Sequence, residues 1–422
     1  MPNTTPSLVR RILIMTTLIT AGEAIFLLPF ALPRIFRPTL LEVFGITNLE
    51  LGLAYSAYGV VAMIAYFFGG PLADNYSPRR LMTAAMISTA LGGLYFACIP
   101  AVRMLTFLYG FWGLTTILVF WAALIRATRE WGGTNSQGRA YGFLDGGRGL
   151  LAALVASITV AIFANLLPAD VASASLAERT AALQSLIWIV CGIVFAIGLL
   201  VWFFIPDSNA LPKSDKKRRF NIEGVQKIAG MPSVWLQAVI ILCAYVAYKG
   251  VDDFSLYAYD VYGYDDVDAA KIGTLAFWIR PFAALGAGYF GDRFSASKGI
   301  VVSFIILILG SLTLASGWLP PNVHWMLVLT IAGTCVGIYA LRGIYFALFQ
   351  EANVPLAFTG TAVGLVSVIG YTPDIFMGPL MGYLLDSAPG ATGHQHVFLV
   401  LASFSFIGLM AALVFRRIRK TV

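Results

Sequence analysis

Twelve stretches of this chain are each long and apolar enough to cross a bilayer as a helix, and no other feature constrains the fold as strongly. They run over 12–33, 49–70, 81–100, 104–126, 140–165, 183–205, 233–257, 269–290, 299–319, 324–348, 357–384 and 396–416. A spanning helix needs roughly 20 such residues. The runs are continuous and do not alternate over ten-residue segments, which excludes a transmembrane barrel. Composition agrees: 59% of the 422 residues are hydrophobic and 12% are charged, far from the even balance of a soluble domain. The longest polar stretch is 206–232, too short for an extramembrane catalytic head. The first run reaches Pro33 and has no small-residue cleavage site, so it reads as a span and not as a removable signal.

The expected organisation is a six-helix bundle over 1–205, a basic linker over 206–232 and a second six-helix bundle over 233–422. The net charge of +7 points to membrane sidedness and not to nucleic acid. With both termini cytoplasmic, cytoplasmic loops and ends hold nineteen of the 28 Lys and Arg, including Lys213, Lys216, Lys217, Arg218, Arg219 and Lys227 of the linker. The opposite side holds five: Arg34, Arg37, Arg103, Arg179 and Lys271. A bacterial cytoplasmic (inner) membrane is the expected location. Cys98, Cys191, Cys243 and Cys335 lie singly in apolar runs, and His394 and His396 read as a solvated loop. No metal and no cofactor are expected.

The loop after the second run reads Gly70-Pro-Leu-Ala-Asp74-Asn-Tyr-Ser-Pro-Arg79-Arg80. Gly288-Tyr-Phe-Gly-Asp292-Arg293 repeats its Gly and Asp 218 positions later. Two parallel halves follow, with the glycines expected to admit a neighbouring helix.

These loops resemble the signature of the major facilitator superfamily. The resemblance implies an all-α membrane protein with twelve transmembrane helices in two pseudo-symmetric six-helix bundles. It also implies that Gly70, Asp74, Arg79, Arg80, Gly288, Asp292 and Arg293 form a conformational lock. The stretch from Trp121 through Arg126, Trp131 and Arg139 to Arg148, with Gly370-Tyr-Thr-Pro-Asp374 and Gly378-Pro379, is similar to the organophosphate and organic-anion antiporter branch. Where those antiporters place an arginine in each of helices 1 and 7, this chain has Glu23 and Lys249.

Charged side chains at mid-bilayer depth cost about 2.5–3.5 kcal/mol each on insertion scales, so they are functional candidates. Glu23 has no cation one helical turn away and suits a proton-coupling group. Asp145 and Arg148 share a helix face with Tyr141 among Gly142, Gly146, Gly147 and Gly149. They form either a structural bridge or half of a site in which Arg148 holds an anion. Lys249 lies within reach of Tyr245, Asp252 and Asp253. Arg280 stands beside Trp278, Arg342 follows Tyr339, and Asp374 follows a helix-breaking Pro373. Arg148, Arg280, Arg342, Lys249, Tyr141, Tyr245, Trp278 and Tyr339 are therefore expected to bind substrate. Glu23, Asp145 and Asp374 are expected to couple.

The expected function is secondary transport of a small organic solute by alternating access, with a proton or a counter-anion as co-substrate. A sugar acid, sugar phosphate or sulfonate fits the cations, and a neutral or zwitterionic solute fits if the acids balance them. A transporter-like sensor is the competing class. An enzyme needs a nucleophile–base or metal cluster that the sequence lacks. The chain is expected to act as a monomer, with no nucleic-acid partner.

Overall fold

The computed structural model describes residues 7–133, 137–207, 226, 228–320, 323–352, 354 and 359–421. The basic linker falls almost wholly outside them. Among the described residues, ten helical segments are long and apolar enough to span a membrane. These are α1 (Leu8–Ile35), α2 (Asn48–Asn75), α4 (Val102–Gly132), α5 (Arg139–Leu166), α6 (Leu176–Phe204), α7 (Pro232–Tyr262), α9 (Ala296–Ala315), α10 (His324–Glu351), α11 (Ala362–Ser387) and α12 (Ala391–Ile418). Two further helices, α3 (Pro78–Ala97) and α8 (Asp266–Arg293), lie on the remaining expected runs. Arg79 and Arg80 open α3, and Lys271 and Arg280 punctuate α8.

Local chemistry sets many of the boundaries. Ser7, Ser77 and Ser295 accept backbone N–H groups at helix starts, and Ser175 with Glu178 forms a reciprocal capping box. Gly45 and Gly263 end segments in the left-handed region, where glycine has no steric penalty.

The breaks inside helices matter more for function. α1 loses α-geometry just after Glu23, where its first segment ends at Ala24 and a π-turn covers Leu27–Ala31 around Pro29. α7 does the same just after Lys249, passing into a 3-10 turn over Gly250–Asp253. α11 stops at Gly370 and restarts at Pro373, which puts Asp374 in a first helical turn. A second π-segment, Leu114–Trp121, widens α4. Such interruptions release a side chain from the regular helical register and recur at functional sites.

The chain forms two compact units. One comprises Met1–Ile46 with Ala57–Asp215, the other Thr47–Ser56 with Lys216–Val422. The first turns of α2 thus group with the second unit, a difference from the halves expected at 1–205 and 233–422. Asp386 accounts for it by capping that end of α2, accepting from Asn48 N at 3.1 Å and Leu49 N at 2.7 Å. The first unit is centred on buried Phe96, Tyr109 and Trp112, the second on Phe254, Phe304 and Phe398. Large apolar side chains also stand exposed on the surface, among them Phe67, Phe68, Phe107, Phe203, Phe282 and Leu285. An apolar exterior of this extent requires lipid.

Candidate functional site

In the first unit, Glu23 on α1 and Arg148 on α5 are 6% and 8% exposed. Arg148 Nε lies 3.3 Å from Glu23 Oε2, and its Nη1 lies 3.8 Å from Asp145 Oδ1. The guanidinium also sits 5.5 Å from the Trp121 ring and 5.9 Å from the Phe26 ring, within cation–π range. Both aromatics flank the breaks in their helices. Close approach of α1 and α5 depends on two glycines. A Cβ on Gly22 would meet Arg148 Cδ at 3.1 Å, and one on Gly147 would collide with Ile19. Gly142 and Gly146 face open space, so close packing holds at Gly147 and not at those two. Tyr141 is half-buried, and its hydroxyl donates to the Ile125 carbonyl at 3.5 Å.

In the second unit, Lys249 Nζ lies 3.4 Å from Asp374 Oδ1 and 3.7 Å from Asp252 Oδ2. Lys249 is 3% exposed, so this is no snorkelling side chain. Its last-turn position and the first-turn position of Asp374 both suit their charges, since cations are favoured at helix C-termini and anions at N-termini. Tyr245 donates its hydroxyl to Asp374 at 3.1 Å. Arg342 stands 3.7 Å over the Tyr248 ring and 5.5 Å from the Tyr245 ring. Tyr371 packs on Tyr245 and Tyr339 on Tyr248, while the Tyr345 and Tyr371 hydroxyls lie 3.4 Å apart. Arg280 is half-buried just before Pro281. Trp278 lines an apolar groove of about 650 Å³ with Phe282, Phe290, Val302, Ile306 and Val336.

The two units carry related pairs. Lys249 follows Glu23, and Asp374 follows Arg148, by the same 226 positions. Each unit therefore joins its first helix to its fifth through an ion pair, with the signs exchanged; Glu23, Arg148 and Lys249 are buried and Asp374 is part-buried.

A model of the Major Facilitator Superfamily matches residues 12–372. The chain belongs to the major facilitator superfamily. Escherichia coli inner membrane protein YqcE is 30% identical over 395 residues, covering 91% of this chain and 90% of the relative. Inner membrane protein YihN of the same organism is 27% identical, covering 94% of each. A probable nitrate transporter, NarT of Staphylococcus epidermidis, is 27% identical over 240 residues, 54% of this chain and 56% of that one. Among solved structures, a bacterial homologue of the human lysosomal transporter Spinster shares the fold at a TM-score of 0.73, with 14% identity and 98% coverage of both chains. This member of the superfamily is a multi-pass integral membrane transporter of small solutes, not an enzyme.

The superfamily loop has its own geometry here. Asp74 is exposed at the end of α2, Arg79 stacks on Trp202 at 4.3 Å, and Arg80 reaches Asp207 at 3.4 Å. Hydrogen bonding from Ser77, helped by Arg80, holds the Asp207 carboxyl below its usual range. Gly70 and Gly288 both face open space, so neither admits a neighbouring helix as expected. Arg293 contacts the Tyr289 hydroxyl at 3.4 Å, and the Asp292 side chain lies outside the described residues.

Sequence reasoning missed three groups. Arg126 is buried and donates to the carbonyls of Ala73 and Tyr76, closing the α2 end, while its Nε holds Glu130 at 2.8 Å. Arg34 and Arg37, expected on a loop, are buried in the first unit. His394 is 1% exposed and not solvated, bridging Asp253 at 2.9 Å and Asp260 at 3.2 Å. A possible signal was the Asp252-Asp253 pair next to Lys249, since two adjacent acids at a span's end need two partners.

Proposed function

We propose that this transporter is a secondary active carrier of a small organic anion, of the sugar-acid, sugar-phosphate or sulfonate type, working by alternating access in a bacterial inner membrane. One observation carries the reading: the sign-exchanged pairs Glu23–Arg148, buried, and Lys249–Asp374, with its lysine buried and its acid part-buried, each beside aromatic rings where a helix breaks. A buried pair is expensive to keep unless exchange of partners is useful. An arriving anion competes with Glu23 for Arg148, or with Asp374 for Lys249. A proton on the released carboxylate then keeps the cluster from accumulating charge. Similarity to a probable nitrate transporter over half the chain supports an anionic cargo. Arg280 completes the proposed substrate contacts, and Asp74 with Arg79 and Arg80 the lock.

The test is uptake by proteoliposomes. Accumulation of a labelled anion driven by an inward proton gradient or by a preloaded counter-anion is expected. Specific binding without flux in either format would make the protein a sensor. Sidedness is tested separately, with both termini proposed to be cytoplasmic. In intact cells, a membrane-impermeant thiol reagent should spare a cysteine introduced at Tyr76 and modify native Cys98, which is exposed at the other end of α3.

A further inference from the structure

Among the described embedded cations, Arg342 has an unusual set of partners. Arg148 faces two carboxylates and so does Lys249. Arg342 faces rings: Tyr248 covers its plane, Tyr245 stands at its side, and its Nη1 is buried without a hydrogen-bond partner. No carboxylate lies within ion-pair distance of it among the described residues. A guanidinium donates through five N–H groups in a planar fork that matches a carboxylate. A buried donor left unmatched is costly until something fills the position.

We propose, resting on the transport reading above, that Arg342 anchors the solute and that the solute is a hydroxylated molecule carrying a single negative charge. The charge balance of the cluster that Tyr245 links, made of Lys249, Asp252, Asp374 and Arg342, leads there. Lys249 and Arg342 contribute two positive charges, and Asp252 and Asp374 two negative ones. A monoanion on Arg342 leaves one excess negative charge, which one proton on Asp374 removes. A phosphate monoester carries about −1.5 to −2 near neutral pH and leaves an excess that a single proton does not cancel in a low-dielectric setting. The tyrosines define the rest of the molecule. Tyr245 and Tyr248 present their rings to the guanidinium, Tyr371 and Tyr339 pack behind them, and the Tyr345 and Tyr371 hydroxyls lie 3.4 Å apart. Such a wall packs on the C–H face of a sugar-like ring while hydroxyls bond its edge.

Thermal shift and titration calorimetry on the purified full-length protein test the assignment, using shape-related probes. These are D-glucuronate and D-gluconate as monoanions, a hydroxylated sulfonate of similar size, glucose as the neutral form and glucose 6-phosphate as the dianion. At least one monoanion should bind about tenfold or more tightly than both glucose and glucose 6-phosphate, the loss expected for one charged hydrogen-bonded contact. Arg342→Gln should erase that preference, while Arg342→Lys, which keeps the charge but loses the fork, should retain part of it. Preference for glucose 6-phosphate, failure of every monoanion to bind, or an unchanged preference in a folded Arg342→Gln protein overturns the proposal. Binding with the expected charge preference but without proteoliposome flux overturns transport alone and leaves the Arg342 assignment standing.

Discussion

Lys249 and Asp374 pair at 3.4 Å between α7 and α11, on the positions that Glu23 and Arg148 occupy on α1 and α5 with the charges exchanged. The parallel extends to the backbone, because both α1 and α7 leave α-geometry immediately after the charged residue. The helix ends make the two pairs unequal. Lys249 suits the C-terminal end of its segment, whereas Glu23 one residue from such an end does not. The first pair therefore depends more heavily on its partner, and it is the one where neutralising the acid by a proton changes most.

Replacing Glu23 by Gln keeps the shape and removes the titratable group. Exchange of solute across proteoliposomes should persist at a rate within a few-fold of the parent protein. Accumulation driven by a pH gradient should be lost. Gradient-driven accumulation at the parent level assigns coupling elsewhere, with Asp374→Asn the next variant to measure.

Arg148→Ala should be the more damaging change to stability. It strips Glu23 of its buried cation, and breaking such a pair from one side destabilises by about 3–5 kcal/mol. The double variant Glu23→Gln with Arg148→Ala should recover a large share of that loss, since no uncompensated charge is left. Thermal unfolding of detergent-purified protein reads both. Equal loss in the single and double variants means that packing against Trp121 and Phe26, not charge, is what Arg148 supplies.

The parts legible in the sequence were those set by local pattern. Apolar run length predicted the positions of α1 to α12, and Pro373 predicted the α11 break that presents Asp374. Depth in an apolar run singled out Glu23, Arg148, Lys249 and Arg342, because burying a charge leaves a compositional trace at one position. Partner identity leaves no such trace. Glu23 and Arg148 are 125 positions apart, and Asp386 caps α2 from 338 positions away, so neither contact follows from helical spacing. The mistaken reading of His394 has the same origin: its proximity to a helix start suggested solvent, while its carboxylate partners stand 141 and 134 residues earlier. The loop glycines Gly70 and Gly288 misled in the other direction, since a small residue in a motif does not by itself specify a close neighbour.

Arg126 offers a test of how the α2–α3 loop is held. Its guanidinium satisfies helix-terminal carbonyls that otherwise lack partners. Arg126→Ala should lower thermal stability by roughly 1.5–3 kcal/mol, the range for hydrogen bonds to a charged donor, and should raise the reactivity of a cysteine placed at Tyr76. Asp74→Asn, by contrast, alters an exposed group and should shift access between conformations without lowering solute affinity. A loss of affinity in Asp74→Asn would remove that residue from the lock.

His394 ties the far end of α7 to the start of α12, and the tie is built entirely from charged groups. Asp253 is fully buried on the 3-10 turn that follows Lys249, and one of its oxygens has no other partner. The ring nitrogens of His394 face Asp253 and Asp260, and only the doubly protonated ring donates to both. Tyr257 packs on the imidazole at 5.3 Å. His394→Gln preserves one hydrogen bond but no charge, so Asp253 is left as a buried carboxylate without a counter-ion. A loss of about 3–5 kcal/mol is expected, read as a lowered unfolding temperature. Adding Asp253→Asn to that variant should restore much of the stability by removing the orphaned charge. Because Asp252 and Lys249 belong to the same turn, the His394→Gln protein should also bind solute less tightly than the restored double variant. If His394→Gln unfolds at the parent temperature, the three groups do not form the charged tie, and the turn after Lys249 is held by packing of Tyr257 against Phe398 alone.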